Sequence, residues 1–315
     1  MPTLLTLGRL VRVSLAATAI GDALVGLAIA YVGAWPAPKA FLLVFASLGV
    51  YHGAMALNDW ADREADAREG RPRPLPRGEI TPRAAFAVAL TCMLGGVALA
   101  AAIAPAVGTW MAGVAALAAA YDLFGRGPYL GPLLLGACRG GNLAAGTIVA
   151  HALGAAPVAA DAGVLWIALL YGTYIFGVSS LGRLEDGEDQ LPLGLRPQRA
   201  LSRIMVGFQM AVAGTFIAWP EGLARSTPFL VGIGISFLGA LWFAARVVVP
   251  MYAHRNWTRR DAGSATGVYL RALLLLQAAI ALPFAAVGPL GAVAFAACLL
   301  GYPLAKALRH LFPPT

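Results

Sequence analysis

"RAAFAVALTCMLGGVALAAAI", residues 83–103, carries no charge after its first arginine. At 1.5 Å per residue a helix of this length rises about 30 Å, the thickness of a bilayer's hydrocarbon core. Backbone N–H and C=O groups find no water there, so such a run reads as a transmembrane helix rather than a loop or a lone strand. Comparable Ala/Leu/Val/Gly runs recur at 10–33, 38–57, 106–123, 130–152, 163–182, 201–219, 228–249, 267–286 and 289–308 of the 315 residues. The composition agrees: 59% of residues are hydrophobic and 12% charged, against about 25% charged in an ordinary globular domain. The expected fold is an all-α integral membrane protein, one domain over 1–315, built as a bundle of nine or ten transmembrane helices. Only Gly288-Pro289 divides the last two runs, which form either two helices or one broken helix.

Most arginines fall in the connections after the second, fourth, sixth and eighth runs: Arg63, Arg68, Arg71, Arg73, Arg77, Arg126, Arg183, Arg196, Arg199, Arg255, Arg259 and Arg260. The opposite connections hold only Lys39 and Arg225. Basic residues gather on the cytoplasmic side, so the N-terminus, with Arg9 and Arg12, is expected inside the cell (inner or plasma) membrane. Lys306, Arg309 and His310 join that side if there are ten helices. The first run exceeds a signal-peptide core and contains Asp22, which marks a retained helix. The net charge of +8 is then a topology signal, available to anionic membrane lipids, and no nucleic-acid motif accompanies it. Cys92, Cys138 and Cys298 lie inside apolar runs without metal-like or disulfide spacing.

Working outward from 83–103, the preceding segment is "LNDWADREADAREGRPRPLPRGEIT", residues 57–81. Ten of the fifteen acidic residues lie in two clusters on the same side: Asp59, Asp62, Glu64, Asp66, Glu69 and Glu79, then Glu185, Asp186, Glu188 and Asp189. If the second helix continues past 57, Asp59, Asp62 and Asp66 share one face. Three carboxylates on one face repel unless a cation sits among them. Hard oxygen ligands without His or Cys favour magnesium, which commonly shares its coordination with substrate phosphate. The spacing excludes an EF-hand. Arg71, Arg73 and Arg77 then alternate with Pro72, Pro74 and Pro76, predicting an extended, stiff arm whose guanidinium forks match phosphate oxygens.

These residues resemble the UbiA superfamily of intramembrane prenyltransferases. "NDWADREAD" (58–66) is similar to that family's first aspartate motif and "GRPRPLPRGEIT" (70–81) to its Arg-Pro-rich continuation. "YDLFGR" (121–126) resembles its tyrosine loop, and "CRGGNLAAG" (138–146) its Arg/Asn/Gly pattern. The resemblance implies a magnesium-dependent transfer of a prenyl group from a prenyl diphosphate to an aromatic or other lipophilic acceptor. It assigns Asn58, Asp59, Asp62 and Asp66 to the metal, and Arg71, Arg73, Arg126 and Arg183 to the diphosphate. The second motif departs from the family. In "SSLGRLEDGEDQLPLG" (179–194), Gly182 stands where an aspartate is expected and Asp186 keeps the other position. Glu185 with Asp189, or Asp186 with Asp189, supplies a shifted pair of ligands, or the second metal is weak or absent. The Arg-x-Glu string, Asp22 and "GACRGGN" look more like the divergent EboC-like branch.

Asp22, Arg139 and Asn142 lie within apolar runs, where ionisable groups face a cavity or one another. They either line the pocket or form an ion-paired structural link. Tyr121, Tyr171 and Tyr174 are candidate pocket aromatics. Two rivals to the transferase remain at this level: a terpene cyclase on the same scaffold, and a non-catalytic carrier or flippase of an isoprenoid-like metabolite. A CDP-alcohol phosphotransferase is disfavoured, because Asp186-Gly187 lacks the Ala-Arg that its signature requires.

Overall fold

The computed structural model describes residues 3–31, 36–125, 127–154, 161–185, 193–217, 226–254, 256–286 and 288–312. Its helices, in chain order, are α1 (Leu4–Leu10), α2 (Ala16–Ala30), α3 (Ala37–Arg68), α4 (Pro82–Ile103), α5 (Pro105–Phe124) and α6 (Leu130–Ala152). They continue as α7 (Asp161–Gly182), α8 (Arg196–Ile217), α9 (Thr227–Phe243), α10 (Val249–Ala253), α11 (Arg259–Ala285) and α12 (Pro289–Leu311). The described residues contain no β-strand.

Proline placement explains several boundaries. Pro82, Pro105, Thr227-Pro228 and Pro289 stand in the first turns of α4, α5, α9 and α12, where a missing N–H costs nothing. Pro250 falls at the start of α10, and a π-turn over Ala244–Val248 carries α9 into it, a device that absorbs a missing rung in the helical ladder. The last two apolar runs are two helices, α11 and α12, packed on each other.

Among the described residues, nine helical rods are long and apolar enough to cross a membrane, with α9, the π-turn and α10 forming one of them. α8 falls short on apolarity because Arg196, Arg199 and Arg203 occupy its first turns, yet its 22 residues span about 33 Å. It packs along α7 and against α9. Gln198 at the start of α8 donates to the backbone carbonyl of His254, just after α10, at 3.0 Å. The start of α8 and the end of α10 therefore lie side by side. Phe312, beyond α12, lies against Gly8 of α1.

The interior is largely apolar with a minority of buried polar side chains, and the exterior is apolar as well. Leu133, Leu238 and Leu300 are 61%, 67% and 69% exposed, a surface suited to lipid tails. Without a hydrophobic drive between helices, close approach matters more. At the α2–α6 crossing a Cβ on Gly26 would stand 1.8 Å from the Leu143 carbonyl oxygen, and one on Gly146 would stand 2.1 Å from the Gly26 backbone. Only glycine fits at either position.

Candidate active site

α3 runs unbroken for 32 residues, so the aspartate motif is helical, as its spacing predicts. Asp59 and Asp66 are buried and Asp62 is half-buried. The Arg-Pro segment differs from expectation. It is turned rather than extended over 74–78, with Arg77 N–H donating to Arg73 C=O and Glu79 N–H to Pro74 C=O. Gly78 closes the turn at φ +69°, a conformation that glycine adopts freely. The turn serves Arg73, whose guanidinium folds back into the acidic face. One of its nitrogens donates to Asp59 Oδ1 at 3.1 Å and to Asp66 Oδ2 at 2.8 Å. Burial pulls the Arg73 guanidinium below its ordinary pKa, Arg12 adds to this, and Asp59 and Asp66 oppose it. Arg71 stays nearer solvent, bonded to Glu69 at 2.7 Å and 3.7 Å from Asp66.

A second arginine enters from the N-terminal segment. Arg12 sits between α1 and the turn at Val13–Leu15 with φ +51°, a left-handed backbone uncommon for a residue with a side chain. This kink sends its guanidinium to Asn58 Oδ1 and Asp59 Oδ1, both at 3.1 Å. Tyr51 holds the kink by donating to the Arg12 carbonyl at 3.2 Å, and the His52 ring meets the Val11 carbonyl at 2.9 Å. Burial is the largest influence and opposes the Arg12 charge, but Asp59, Tyr51 and Tyr121 together outweigh it and hold the guanidinium above its ordinary range. Arg9 and Thr6 both bond Glu79, joining α1 to the end of the arginine arm.

The end of α7 closes on the end of α5. Arg183 donates to the Gly125 carbonyl, with its guanidinium 5.6 Å above the Tyr121 ring. Asp122, next to Tyr121, is buried, and neither of its carboxylate oxygens has a hydrogen-bond partner. Glu185 is exposed and its carboxyl lies against Gly263 of α11. The predicted site residues Arg126, Asp186 and Asp189 lie outside the described residues.

Deeper in the bundle, Asp22, Arg139 and Asn142 come together. Asp22 accepts from Asn142 Nδ2 at 2.9 Å and Gln277 Nε2 at 2.7 Å, and also from the Tyr171 hydroxyl. Arg139 pairs with it at 3.1 Å and donates to the Thr18 carbonyl at 3.0 Å. Asn142 also reaches Ser47 Oγ at 2.8 Å. Five helices (α2, α3, α6, α7 and α11) meet in this network. Of the two expectations for these residues, the ion-paired link is the one observed. Tyr171 and Tyr174 are fully buried, and Tyr174 donates to the Tyr269 carbonyl at 2.6 Å.

The profile of the UbiA prenyltransferase family matches residues 19–269. The chain belongs to that family. Among curated UbiA-like relatives, the chain is 29% identical over 274 residues to the bacteriochlorophyll synthase 33 kDa chain of Cereibacter sphaeroides, covering 80% of this chain and 84% of that protein. It is 31% identical over 219 residues to the digeranylgeranylglyceryl phosphate synthase of Halobacterium salinarum, covering 67% and 73%. It is 26% identical to a 4-hydroxybenzoate octaprenyltransferase of Pseudomonas fluorescens over 212 residues, 66% of this chain and 67% of that one. The fold matches a UbiA homologue from Archaeoglobus fulgidus, solved with DMAPP and Mg2+, at a TM-score of 0.62 and 17% identity, over 86% of this chain and 98% of the other.

The UbiA motif residues fit a hard divalent cation by chemistry rather than as a finished cage. Among the described residues, no three carboxylate, His or Cys side chains converge on a common metal position, because Arg73 is seated between Asp59 and Asp66. The donors are nonetheless all oxygen, and Asp59 Oδ2 is buried with no partner. Sequence reasoning missed Arg12, Gln277 and Asp122 as parts of these polar clusters. The sequence assigns Arg12 to topology alone. The signal for Asp122 was a lone acid after the run "AALAAAY".

Proposed function

We propose that this protein transfers a prenyl group from a prenyl diphosphate to an aromatic or other lipophilic acceptor within the membrane, with Mg2+ as cofactor. The observation that carries the reading is the buried aspartate face of α3, interlocked with Arg73 and Arg12 at one end of a UbiA-type bundle. The three curated relatives, named for a tetrapyrrole, a glyceryl phosphate and a benzoate, support a prenyl donor with a variable acceptor. Asn58, Asp59, Asp62 and Asp66 would hold the metal, which when bound supplies positive charge against a departing diphosphate. Arg71, Arg73 and Arg183 would take diphosphate oxygens as charge builds on them. The C–O bond to the allylic carbon breaks, its electron pair leaves with diphosphate, and the acceptor's electron pair closes on the cation. The acceptor then loses a proton to water. We place this end of the bundle at the cytoplasmic face of the cell membrane, on the strength of the arginines there.

The test is incubation of purified protein with radiolabelled prenyl diphosphates, Mg2+ and a panel of phenolic acceptors. Diphosphate release and a prenylated acceptor are expected, and Asp62→Ala should abolish both. Release without any alkylated acceptor would point to a cyclase instead. Tight diphosphate binding with no release from any donor would sink the transferase reading in favour of a carrier.

A further inference from the structure

We infer that Arg271 of α11 and Arg309 of α12 form a seat for the phosphate of an anionic phospholipid, at the lipid-facing seam between these two helices. Arg271 lies well inside an apolar helix and is half-buried. Ionisable side chains inside membrane helices are costly and normally stand opposite a partner. Among the described residues neither guanidinium has a hydrogen-bond or ion-pair partner. The groups that act electrostatically on Arg271 are Arg309 and Tyr302, with no carboxylate among them. α12 contains no acidic residue, and the one acid of α11, Asp261, caps its own helix through Thr258. Two like charges so placed repel unless an anion lies between them.

The helices set both guanidinium groups at one depth. A Cβ on Gly301 would meet the Leu274 side chain at 3.3 Å, which fixes the register of the α11–α12 hairpin. From Gly301, α12 continues eight residues to Arg309, about 12 Å. From Leu274, α11 runs back seven residues to Gly267, about 10 Å. The Arg271 guanidinium lies 3.6 Å from a Cβ built on Gly267. Its side chain therefore runs one turn back along the helix, toward the headgroup level, as long basic side chains in membrane helices do. Tyr302, Lys306 and Arg309 are spaced i, i+4, i+7 and share one face of α12, so the exposed Lys306 adds a third positive group at the rim. The surrounding surface is apolar, with Leu299, Leu300 and Leu304 47%, 69% and 54% exposed. A free anion gains nothing from that rim. A phospholipid lays its acyl chains on the leucines and its phosphate on the arginine forks. Phe312, just beyond α12, meets Gly8 of α1, so the bound headgroup adjoins the segment whose Arg12 reaches Asp59.

The seat does not depend on prenyl transfer, and its test uses no prenyl substrate. The purified full chain, delipidated in neutral detergent, is titrated with dioleoyl phosphatidylglycerol, with dioleoyl phosphatidylcholine and with inorganic phosphate. Native mass spectrometry and thermal melting read the binding. Wild type should prefer phosphatidylglycerol to phosphatidylcholine, and inorganic phosphate should leave melting unchanged. A basic side chain beside an anionic headgroup is worth about 5-fold in affinity. Arg271→Gln and Arg309→Gln should each lose about that factor for phosphatidylglycerol, with binding of phosphatidylcholine unchanged. Arg246→Gln, which removes an exposed arginine from the turn between α9 and α10, is the control and should bind like wild type. A wild type without preference for phosphatidylglycerol would overturn the proposal. So would an equal loss in Arg246→Gln, which would mean diffuse attraction only. Stabilisation by inorganic phosphate to the level reached with the lipid would overturn the phospholipid as occupant in favour of a free anion. Should Arg271→Gln fail to fold, Arg309→Gln and Lys306→Gln, both at exposed positions, carry the same comparison.

Discussion

Arg73→Gln is the most informative single change in the aspartate face. It removes the guanidinium that joins Asp59 to Asp66, whose side chains are 0% and 3% exposed against 8% for Arg73. Breaking a buried ion pair from one side costs about 3–5 kcal/mol, because the remaining charge stays buried. Two neighbours soften the loss here: Asp59 keeps Arg12 at 3.1 Å, and Asp66 keeps Arg71 at 3.7 Å. The low end, about 3 kcal/mol, is therefore the working figure. At roughly 2–4 °C per kcal/mol for a chain of this size, melting in EDTA should fall by roughly 6–12 °C. The assay is thermal scanning of purified protein in detergent, first with EDTA and then with excess Mg2+. Magnesium should restore most of the loss in the variant, since a cation can then occupy the place Arg73 has left. Combining Arg73→Gln with Asp66→Asn should cost less than the sum of the two, as expected for directly coupled groups. A variant that melts like wild type in EDTA would refute the idea that this arginine holds the aspartate face together.

Two further outcomes follow from the interior. Asp22→Ala leaves Arg139 charged and buried, so folded yield and melting temperature should drop by the equivalent of about 3–5 kcal/mol, and adding Arg139→Leu should recover part of it. Gly146→Ala forces a methyl group to within 2.1 Å of the Gly26 backbone, which should cost about 1–3 kcal/mol or more by overpacking. Gly95→Ala, where nothing lies within 4 Å, is the control and should melt within about 0.5 kcal/mol of wild type. Equal effects at Gly146 and Gly95 would remove the close α2–α6 crossing from the account.

Much of the architecture was legible in the order of residues, because a transmembrane helix announces itself by length and apolarity alone. The aspartate face was legible for a related reason: helical spacing fixes which residues share a side. α8 was harder, since its arginine-bearing first turns dilute its apolarity and leave it short of the other spans. The direction of the arginines was not legible. Proline suggested a stiff arm, but proline constrains φ and says little about a long side chain drawn toward buried carboxylates. Arg12 and Gln277 were invisible because their partners are distant in sequence, 47 residues for Arg12 to Asp59 and 255 for Gln277 to Asp22. No local pattern encodes such a pairing. Asp22, Arg139 and Asn142 stood out by being polar in greasy surroundings, and whether they lined a pocket or bonded one another depended on geometry.

The meeting of Phe312 with Gly8 has an experimental use. It places the exposed Leu5 and Leu311 on neighbouring elements, α1 and the end of α12. α1 is tied to the carboxylates through Arg12 and to the arm through Arg9. A donor–acceptor dye pair at these two lipid-side positions would report, optically and without any labelled substrate, whether α1 shifts when a ligand competes for Asp59. The protein in effect carries a gauge at its own seam, readable in intact vesicles.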